Sequence, residues 1–579
     1  MPDDAVLSAD RLSKSFQAGG RIVLALKEIT LSVRPGSVTG LIGPDGAGKT
    51  TFMRLAAGLL VPDAGSISAL GLDSTRDALA VQAALGYMPQ RFGLYEDLTV
   101  QENLDLYADL QGVPPAARAD RYAELMHMTG LAPFTRRLAG RLSGGMKQKL
   151  GLACTLVRAP RLLLLDEPTV GVDPVSRREL WAIVDRLVQR EGMSVLLSTA
   201  YLDEAERCAE VILLHDGKVL DHGPPGRIAD RVRGRTWAVT QPGMRHRDLQ
   251  AQLDGRPGIV DALVQGEHVR LVTAEAALPQ AVAARPGIVA REVPPRFEDG
   301  FIDLLSHGRG RHGETHVAEG AAQAAGDGRP VIRVAGAKRR FGDFWAVDGV
   351  DFEIRRGEIF GLLGANGAGK TTTFRMLCGL LPASAGHLEV AGLDLRRAAS
   401  QARARIGYMS QKFSLYGNLS VAQNLEFFAS AYGLAGAAQR ERIAWALDEF
   451  ELAASGDQLS GDLPLGYKQR LAMACALMHR PEILFLDEPT SGVDPLARRE
   501  FWQRINALAR EGVTVLVTTH FMEEAEYCDR LAIMAAGRIL ATDEPAAIKA
   551  QARSAEHPEP SMEDAFIRLI EASPVQERA

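Results

Sequence analysis

Short continuous apolar segments alternate along the chain with segments whose apolar residues follow helical spacing. The stretches VTGLIG and IFGLLG, before and into Gly43 and Gly364, carry no charged residue, and each leads into a glycine-rich turn. The segments TFMRLAAGL and TTFRMLCGL come next and predict the start of a helix. Two further apolar runs end at Asp166 and Asp487 and predict central parallel strands covered on both faces. The pattern therefore predicts an α/β fold.

The same segments occur twice, at a constant separation of 321 residues. GPDGAGKTT from Gly43 recurs as GANGAGKTT from Gly364, YMPQ recurs as YMSQ, and LLLLDEPTVGVDP recurs as ILFLDEPTSGVDP. Further along, the separation shortens by one residue, so Ala200 aligns with His520. A repeat of this length with every motif in register indicates a tandem duplication.

Composition narrows the functional classes. A chain of 579 residues with 46% hydrophobic residues is long enough for several domains with their own cores. The formal net charge of −6 gives no electrostatic preference for nucleic acid, so we expect no nucleic-acid partner. The acidic N-terminal stretch and the shortness of every apolar run predict a soluble chain. Five cysteines without CxxC spacing predict buried, reduced residues.

The glycine-rich turn between a predicted strand and a predicted helix is a phosphate-binding arrangement in both halves. Its backbone N–H groups converge on phosphates at a helix N-terminus, while Lys49 and Lys370 add a positive charge. Two GxxxxGK[ST] matches in register exclude a chance occurrence. The predicted ATP-binding residues of the two turns are Gly43, Pro44, Asp45, Gly46, Ala47, Gly48, Lys49, Thr50 and Thr51, and Gly364, Ala365, Asn366, Gly367, Ala368, Gly369, Lys370, Thr371 and Thr372.

Acidic pairs end the other two apolar runs. Because a carboxylate at the tip of a central parallel strand points at the ligand crevice, Asp166 and Asp487 are predicted to bind Mg²⁺, directly or through water. The adjacent Glu167 and Glu488 are predicted to orient and deprotonate the attacking water. The glutamines that end YMPQ and YMSQ are candidates for sensing metal and water, although a glutamine in a loop is usually only a loop residue. The predicted metal sites consist of Thr50, Gln90 and Asp166, and of Thr371, Gln411 and Asp487.

In this order and spacing, the motifs resemble those of the nucleotide-binding domains of ABC transporters, and the likeness covers nearly the whole chain. It rests on the two phosphate-binding turns, YMPQ, LSGGMKQK from Leu142, the DEP segments and GVDP. The loops RFGLYEDLTVQENL and KFSLYGNLSVAQNL and the tail PRFEDGFIDLL resemble the ATPase subunits of ABC-2 type exporters. The fused form without membrane helices is similar to the ATP-binding subunit of a multidrug exporter.

The resemblance implies an ATPase, with ATP and Mg²⁺ as cofactors, that powers drug or xenobiotic export through integral membrane permease subunits of the ABC-2 type. It implies a peripheral location at the cytoplasmic face of the inner membrane, and one chain per transporter with its two ATPase domains paired. It adds Phe16, Phe341, Ser143, Gly144 and Gly145 to the predicted ATP-binding residues. Apolar loop tips are expected either near the coupling helix of the membrane subunit or packed in the helical subdomain: Phe92, Leu94, Tyr95, Phe413, Leu415 and Tyr416.

In this family the two domains face each other head to tail, and each ATP lies between one phosphate-binding turn and the opposite LSGG motif. The resemblance therefore places LPLGY opposite the first turn and the intact LSGG opposite the second. Pro464 has neither a hydroxyl nor an N–H group, and Leu465 adds bulk where a phosphate must approach. Site one also has Ala200 where the family usually has a switch histidine.

By the same comparison, the second ATP site has every motif residue that the family usually has. It combines Lys370, Asp487, Glu488 and His520 with the intact motif, whereas Lys49, Asp166 and Glu167 face the altered one. The sequence therefore predicts one competent and one degenerate ATP site, with Glu488, His520 and Glu167 as the catalytic residues to compare. The alternative is that the differences are drift without consequence.

The predicted domains are a first nucleotide-binding domain at 1–232, a small α+β module with a C-terminal helix at 233–305, a flexible linker at 306–330, and a second nucleotide-binding domain at 331–579. The module has no counterpart in the second half. Its segments TWAVT, IVDALV, HVRLVT and IVAREV, with two predicted helices, suggest β-α-β-β-α-β, as in a ferredoxin-like fold. The fold class is α/β, with two tandem P-loop NTPase domains of the ABC type and this module after the first.

Two other functions stay open. A soluble ABC ATPase that acts on the ribosome usually joins its halves by a long charged helical linker, and residues 306–330 have no helical periodicity. The fused ATPase of a sugar importer is disfavoured by the ABC-2-like loop and tail motifs.

Overall fold

A computed structural model of the 579-residue chain describes residues 5–18, 21–90, 93–199, 201–308, 330–411, 413–554 and 558–572. The described residues form two compact units. The first unit consists of the described residues up to Arg233, together with Pro294–Gly308 and Asp494–Leu496, and the second consists of the rest. Phe92, Ala200 and most of the predicted linker, residues 309–329, lie outside the described residues.

The first unit contains a four-stranded and a six-stranded sheet. The strands are β1 (Leu7–Ala18), β2 (Arg21–Val33), β3 (Val38–Ile42), β4 (Ala64–Ala69), β5 (Leu72–Asp73), β6 (Leu85–Met88), β7 (Leu162–Asp166), β8 (Ser194–Thr199), β9 (Glu210–His215) and β10 (Lys218–Gly223). The sheet orders are β2-β1-β4-β5 and β10-β9-β3-β8-β7-β6, and the larger sheet is parallel except for the β9–β10 pair. Every residue of β3, β7 and β8 is buried, as the continuous apolar runs predict.

Apolar cores cover both faces of the six-stranded sheet. The helices of this part are α1 (Lys49–Ala56), α2 (Ala78–Ala84), α3 (Val100–Leu110), α4 (Pro115–Thr129), α5 (Gly144–Thr155), α6 (Pro174–Glu191), α7 (Leu202–Ala205) and α8 (Pro225–Ala229). Successive side chains of a strand point to opposite faces, so Leu163 and Leu165 join one core while Leu162 and Leu164 join the other. Apolar residues on both faces of the strand are therefore needed at this central position.

Residues 234–293 form the small α+β module, which belongs to the second unit. Its elements are β11 (Thr236–Thr240), α9 (His246–Leu253), β12 (Ile259–Gln265), β13 (His268–Thr273), α10 (Gln280–Ala283) and β14 (Val289–Glu292). The sheet order is β12-β13-β11-β14, with every neighbouring pair antiparallel. This is the β-α-β-β-α-β arrangement that the sequence predicts.

Helix α11 (Phe297–Gly308) belongs to the first unit and not, as the sequence predicts, to the module. Phe297 and Phe301 are fully buried in the core that also contains Ile228 of α8. A Cβ on Gly300 would lie 2.1 Å from the carbonyl oxygen of Ile228, so glycine permits this close helix packing. The module is thus an insertion between two segments of the first unit.

The second unit repeats the cassette of the first. Its strands are β15 (Pro330–Phe341), β16 (Phe344–Arg355), β17 (Ile359–Gly364), β18 (Ala385–Val390), β19 (Leu393–Asp394), β20 (Ile406–Met409), β21 (Ile483–Asp487), β22 (Thr514–Thr519), β23 (Arg530–Ala535) and β24 (Arg538–Asp543). The helices are α12 (Lys370–Leu377), α13 (Leu395–Arg403), α14 (Val421–Ala431), α15 (Gly436–Glu449), α16 (Leu465–Ala476), α17 (Pro495–Arg510), α18 (Pro545–Ala550) and α19 (Met562–Glu571). The sheet orders, β16-β15-β18-β19 and β20-β21-β22-β17-β23-β24, match those of the first cassette.

The sequence also makes predictions about the cysteines and about membrane-crossing segments. All five cysteines are buried and unpaired, as predicted for core residues. Within the described ranges, no helix combines the length and the apolar character that crossing a membrane requires.

Candidate active site

The parallel register brings the phosphate-binding turn and the acidic pair to one edge of each sheet. Ile42 at the end of β3 pairs with Thr199 of β8, and Asp166 at the end of β7 pairs with Ser198 of the same strand. In the second cassette, Leu363 pairs with Thr519 and Asp487 with Thr518. The carboxyl ends of adjacent parallel strands form the crevice in which such sheets bind ligands.

Each phosphate-binding turn is held in a conformation that only glycine adopts readily. Gly48 and Gly369 both have a φ of 103° and are the N-cap residues directly before the helices α1 and α12. A Cβ on Gly48 would lie 2.6 Å from the carbonyl oxygen of Ala25, and one on Gly369 would lie 2.5 Å from that of Ala346. The hairpins β1–β2 and β15–β16 therefore pass directly beside the two turns.

The lysines of the turns are buried and point back over the loop. Lys49 Nζ donates to the carbonyl oxygens of Gly43 at 2.8 Å and Pro44 at 3.2 Å. Lys370 Nζ donates to those of Gly364 at 2.7 Å and Ala365 at 3.1 Å. A buried ammonium at a helix N-terminus, beside a glycine loop, is a fitting site for the phosphates of a nucleotide. Asp45 lies in the first of these turns, and burial raises its pKa to about 6.

The predicted metal ligands lie close together in both cassettes. Thr50 Oγ1 donates to Asp166 Oδ1 at 3.2 Å, and Thr371 Oγ1 donates to Asp487 Oδ1 at 3.5 Å. Hydroxyl and carboxylate oxygens are the hard donors that Mg²⁺ prefers, and it commonly takes only a few ligands from the protein when phosphates supply others. The donor sets therefore fit Mg²⁺.

The glutamates that follow the strands have strained backbones and nearly identical surroundings. Glu167 has a φ of 51° and Glu488 a φ of 47°, in the left-handed region that non-glycine residues rarely occupy. Each carboxylate lies 3.6 Å from the ammonium of its cassette's lysine. Gln90 Nε2 donates to Glu167 at 2.5 Å, and Gln411 Nε2 donates to Glu488 at 2.8 Å. Both predicted glutamines thus contact a catalytic candidate.

The two glutamates differ in the residue that the chain supplies at the switch position, His520 or Ala200. His520 Nδ1 lies 3.2 Å from Glu488 Oε2, whereas the residue at the equivalent position of the first cassette is Ala200. Burial raises the pKa of Glu167 above its ordinary value, and Lys49 offsets only part of this effect. Burial also raises the pKa of Glu488, but His520 and Lys370 outweigh it and hold that pKa at about 2. The pKa values of the two glutamates are therefore shifted in opposite directions.

His520 has a further feature that suits a phosphate ligand. Its side chain is almost completely buried, and its Nε2 has no hydrogen-bond partner among the described residues. A buried ring nitrogen without a partner is costly unless a ligand group occupies the site.

The signature segments start their helices differently. Ser143 caps α5, because its side chain accepts a hydrogen bond from Met146 N at 3.3 Å. Pro464 holds the same position before α16 and provides no side-chain cap. Gly144 and Gly145 open α5, and a Cβ on Gly145 would lie 2.3 Å from Ser176 Oγ. Leu465 replaces the first of these glycines in the second cassette.

The aromatic candidates lie on the hairpins. Phe16 on β1 is 40% exposed and Phe341 on β15 is 47% exposed, so both rings have an open face. Among the loop tips, Leu94, Phe413 and Leu415 pack against the helical cores, whereas Tyr95 and Tyr416 are exposed. Both interpretations of the loop tips thus have residues that suit them.

Sequence reasoning missed the hydroxyl groups that fix the acidic pairs. Ser198 Oγ donates to Asp166 Oδ1 at 2.7 Å, and Thr518 Oγ1 donates to Asp487 Oδ1 at 2.6 Å. The same hydroxyl oxygen accepts from the backbone N–H of the following glutamate, Glu167 or Glu488, at 2.9 Å. The available signal was a Ser or Thr at the same place in both halves, directly after the apolar middle of a strand.

A second missed pair is buried deeper. Glu204 accepts from Thr169 at 3.0 Å and from Thr199 at 2.6 Å, so it joins the segment after the acidic pair to the end of β8. Glu524 makes the corresponding contacts with Thr490 and Thr519 in the second cassette. Each carboxylate ties together the two loops that flank the site.

Sequence comparisons relate this chain to ABC transporter proteins. A family model described as "ABC transporter" matches residues 26–170 and 347–491. The chain is 52% identical over 574 residues to "Probable multidrug ABC transporter ATP-binding protein YbhF" of Escherichia coli, covering 98% of each chain. It is 42% identical over 217 residues to "Nod factor export ATP-binding protein I" of Ralstonia nicotianae, covering 37% of this chain and 68% of the relative. A solved structure titled "Structure of ATP binding subunit of ABC transporter" aligns with a TM-score of 0.38 and 28% identity, over 42% of this chain and 99% of that one.

Proposed function

Because the chain belongs to the ABC transporter family, as an ATPase with two fused ATP-binding domains, we propose that it powers an ABC-2 type exporter of drugs or other xenobiotics. Permease subunits encoded separately would form the membrane pathway. The relative from Escherichia coli, similar over 98% of its length, is named as a multidrug transporter protein, and that similarity carries the proposal. The name of the Ralstonia relative, which refers to export, favours the same direction of transport.

We infer further that hydrolysis takes place chiefly at the site built on the second phosphate-binding turn. There Glu488 takes the proton of the attacking water, while Gln411 and His520 hold the carboxylate in position. Lys370 and the backbone N–H groups at the start of α12 stabilise charge on the phosphates. When Mg²⁺ is bound, it neutralises phosphate charge, and Thr371 and Asp487 are the residues that would hold it.

The other site is proposed to bind ATP but to hydrolyse it slowly. Glu167 has Lys49 and Gln90 beside it, but the chain supplies Ala200 in place of a histidine. In the head-to-tail pairing of the family, Pro464 and Leu465 would face this ATP, and neither can contribute the hydroxyl of an LSGG serine. The contrast between the capped α5 and the uncapped α16 supports this assignment.

The test of the proposed function is the set of partners that co-purifies from detergent-solubilised membranes. We expect two copies or two kinds of permease chain, and membrane binding that is released by alkaline carbonate and lost in cells without the permease. Recovery with ribosomes in the soluble fraction would favour the ribosome-acting alternative. Stimulation of ATP turnover by a sugar-binding partner would favour the importer.

A further inference from the structure

The small module makes polar contacts with the second cassette along one helix face. Arg247 and Gln250 are three residues apart, so they lie on one side of α9, and Asp254 directly follows the last residue of this helix. Gln250 Oε1 accepts from Asn506 at 3.1 Å, and Asp254 Oδ2 accepts from Gln503 at 2.9 Å. The two partners are three residues apart on α17, so one face of each helix meets the other.

Two ion pairs bracket these hydrogen bonds. Arg247, which is buried, contacts Asp529 at 2.9 Å and donates to the carbonyl oxygen of Gly357 at 3.2 Å. At the other end, Asp261 of β12 pairs with Arg499 of α17. Buried or half-buried ion pairs of this kind add geometric specificity, because removing one partner leaves the other charge uncompensated.

The first cassette lacks the partner residues for this contact. By the repeat, Gln503, Asn506 and Asp529 correspond to Ala182, Asp185 and Ala209. Arg499 has an arginine counterpart, Arg178, but Arg178 is exposed whereas Arg499 is only 8% exposed. The sequence of the second cassette is therefore adapted to the module, although the chain inserts the module into the first.

The contacted elements lead straight to the second ATP site. Helix α17 begins at Pro495, seven residues after Glu488. Strand β12 contacts the 3₁₀ turn Glu523–Tyr527, which follows His520. Glu524 of this turn joins Thr490 and Thr519, and it lies 3.8 Å from Arg498 of α17. A module that holds α17 and this turn holds the two segments that carry Glu488 and His520.

We propose that the module is an intramolecular partner of the second cassette alone, docked on α17 and the turn Glu523–Tyr527, and that docking keeps the second ATP site in its hydrolysing geometry. The evidence for the docking surface is the set of contacts described above. The effect on ATP turnover rests, in addition, on the proposed function. Loss of the dock slows hydrolysis without abolishing ATP binding, since no docking residue belongs to the phosphate-binding turn.

The test transfers the surface of one cassette to the other in the full-length chain. Gln503→Ala, Asn506→Asp and Asp529→Ala, combined, give the second cassette the residues that the first carries at these positions. The matched control is the reverse exchange in the first cassette, Ala182→Gln, Asp185→Asn and Ala209→Asp. Because each cassette tolerates these residues at the equivalent places, neither variant is expected to unfold.

Amide hydrogen exchange of the nucleotide-free protein measures whether the module is docked. In the first variant we expect exchange at residues 246–265 and in α17 to rise about tenfold or more, as the loss of several net hydrogen bonds implies. The control leaves both regions at the wild-type rate. Unchanged exchange in the first variant would refute the docking surface, whether or not the protein hydrolyses ATP.

ATP turnover in the presence of the membrane partner measures the effect of docking on the second ATP site. The first variant should hydrolyse ATP about three- to tenfold more slowly at an unchanged affinity for ATP, a coupling of the size seen between packed elements. The control variant should keep wild-type turnover. Faster exchange with unchanged turnover in the first variant, or an equal loss of turnover in the control, would overturn the proposed control of the site.

Discussion

Glu488 and Glu167 occupy equivalent positions with the same strained backbone, the same lysine distance and the same glutamine contact. They differ in the histidine that lies 3.2 Å from Glu488. Glu488→Gln should therefore reduce steady-state ATP turnover by at least about 10²-fold while ATP stays bound, because a general base that has lost its charge cannot accept the proton. Glu167→Gln should have a much smaller effect. Turnover by each purified variant with its membrane partner is the measurement.

Two further variants test the difference in hydrolysis between the two ATP sites. Ala200→His alone should not restore the first site, because Pro464 and Leu465 would still face its ATP. Lys49→Ala is expected to impair transport, since a slow but occupied site can serve as the closed half of the cycle. Equal losses from Glu488→Gln and Glu167→Gln would refute kinetic asymmetry.

Asp254 gives the docked module a pH dependence. Burial, followed by the charge of Asp261, raises the pKa of Asp254 to about 6, although Arg499 lowers it in part. The folded state therefore binds more protons than the unfolded state between about pH 4 and 6, and the free energy of unfolding falls as pH rises through this window.

Asp254→Asn removes this effect and keeps an oxygen that can accept from Gln503. At pH 7 the variant should be more stable than the wild type by about 1 to 3 kcal/mol, and the difference should vanish towards pH 4. Denaturant unfolding of the second unit at several pH values measures it. A difference that does not change with pH would contradict the assignment of the effect to Asp254.

At the scale of single elements, the start of α5 and the start of α16 form a matched pair. Ser143 and Pro464 have nearly the same backbone angles, with φ of −66° and −55° and ψ of 164° and 154°. Only Ser143 satisfies a backbone N–H of its helix. Ser143→Ala should thus destabilise the first turn of α5 by about 1 kcal/mol, and Pro464→Ala should destabilise α16 much less.

Exchange of the backbone amides in the first helical turn measures this difference. If ATP at the second site depends on Ser143, as proposed, Ser143→Ala should also lower turnover, whereas Pro464→Ala should leave it near the wild-type value. Similar exchange in both helices after substitution would show that the serine cap contributes nothing at this position.

The strands and helices that carry the phosphate-binding turns were predictable, because glycine turns and buried apolar runs have local patterns. Leu162–Leu165 and Ile483–Leu486 lie in central strands for that reason. The contacts of Glu524 and of the module were not predictable in this way. Arg247 and Asp529 are 282 residues apart, and a polar pair at that distance leaves no periodic signal along the chain. The grouping of α11 with the module failed for a related reason, since only packing shows which core accepts Phe297 and Phe301.

At the scale of the whole molecule, the tandem repeat bears on stoichiometry. One chain supplies two phosphate-binding turns, two acidic pairs and two signature segments, which is the full set that an ABC dimer needs. A single copy is therefore expected to bind two ATP molecules and to pair its own two cassettes. The module, inserted in the first half and in contact with the second cassette, favours pairing within one chain, because a free half would have to compete with a partner already attached.

The Glu488→Gln form tests this expectation, since slow hydrolysis should accumulate the ATP-bound state. Native mass measurement with ATP and Mg²⁺ should give one chain with two nucleotides, at a mass close to 62.4 kDa before ligands. The proportion of monomer should not change as protein concentration rises, because pairing within a chain does not depend on concentration. An obligate dimer of chains, with each half paired across molecules, would contradict the prediction. The three-residue exchange that frees the module serves as the companion variant: if the module favours pairing within the chain, dimers should appear at high concentration only in that variant.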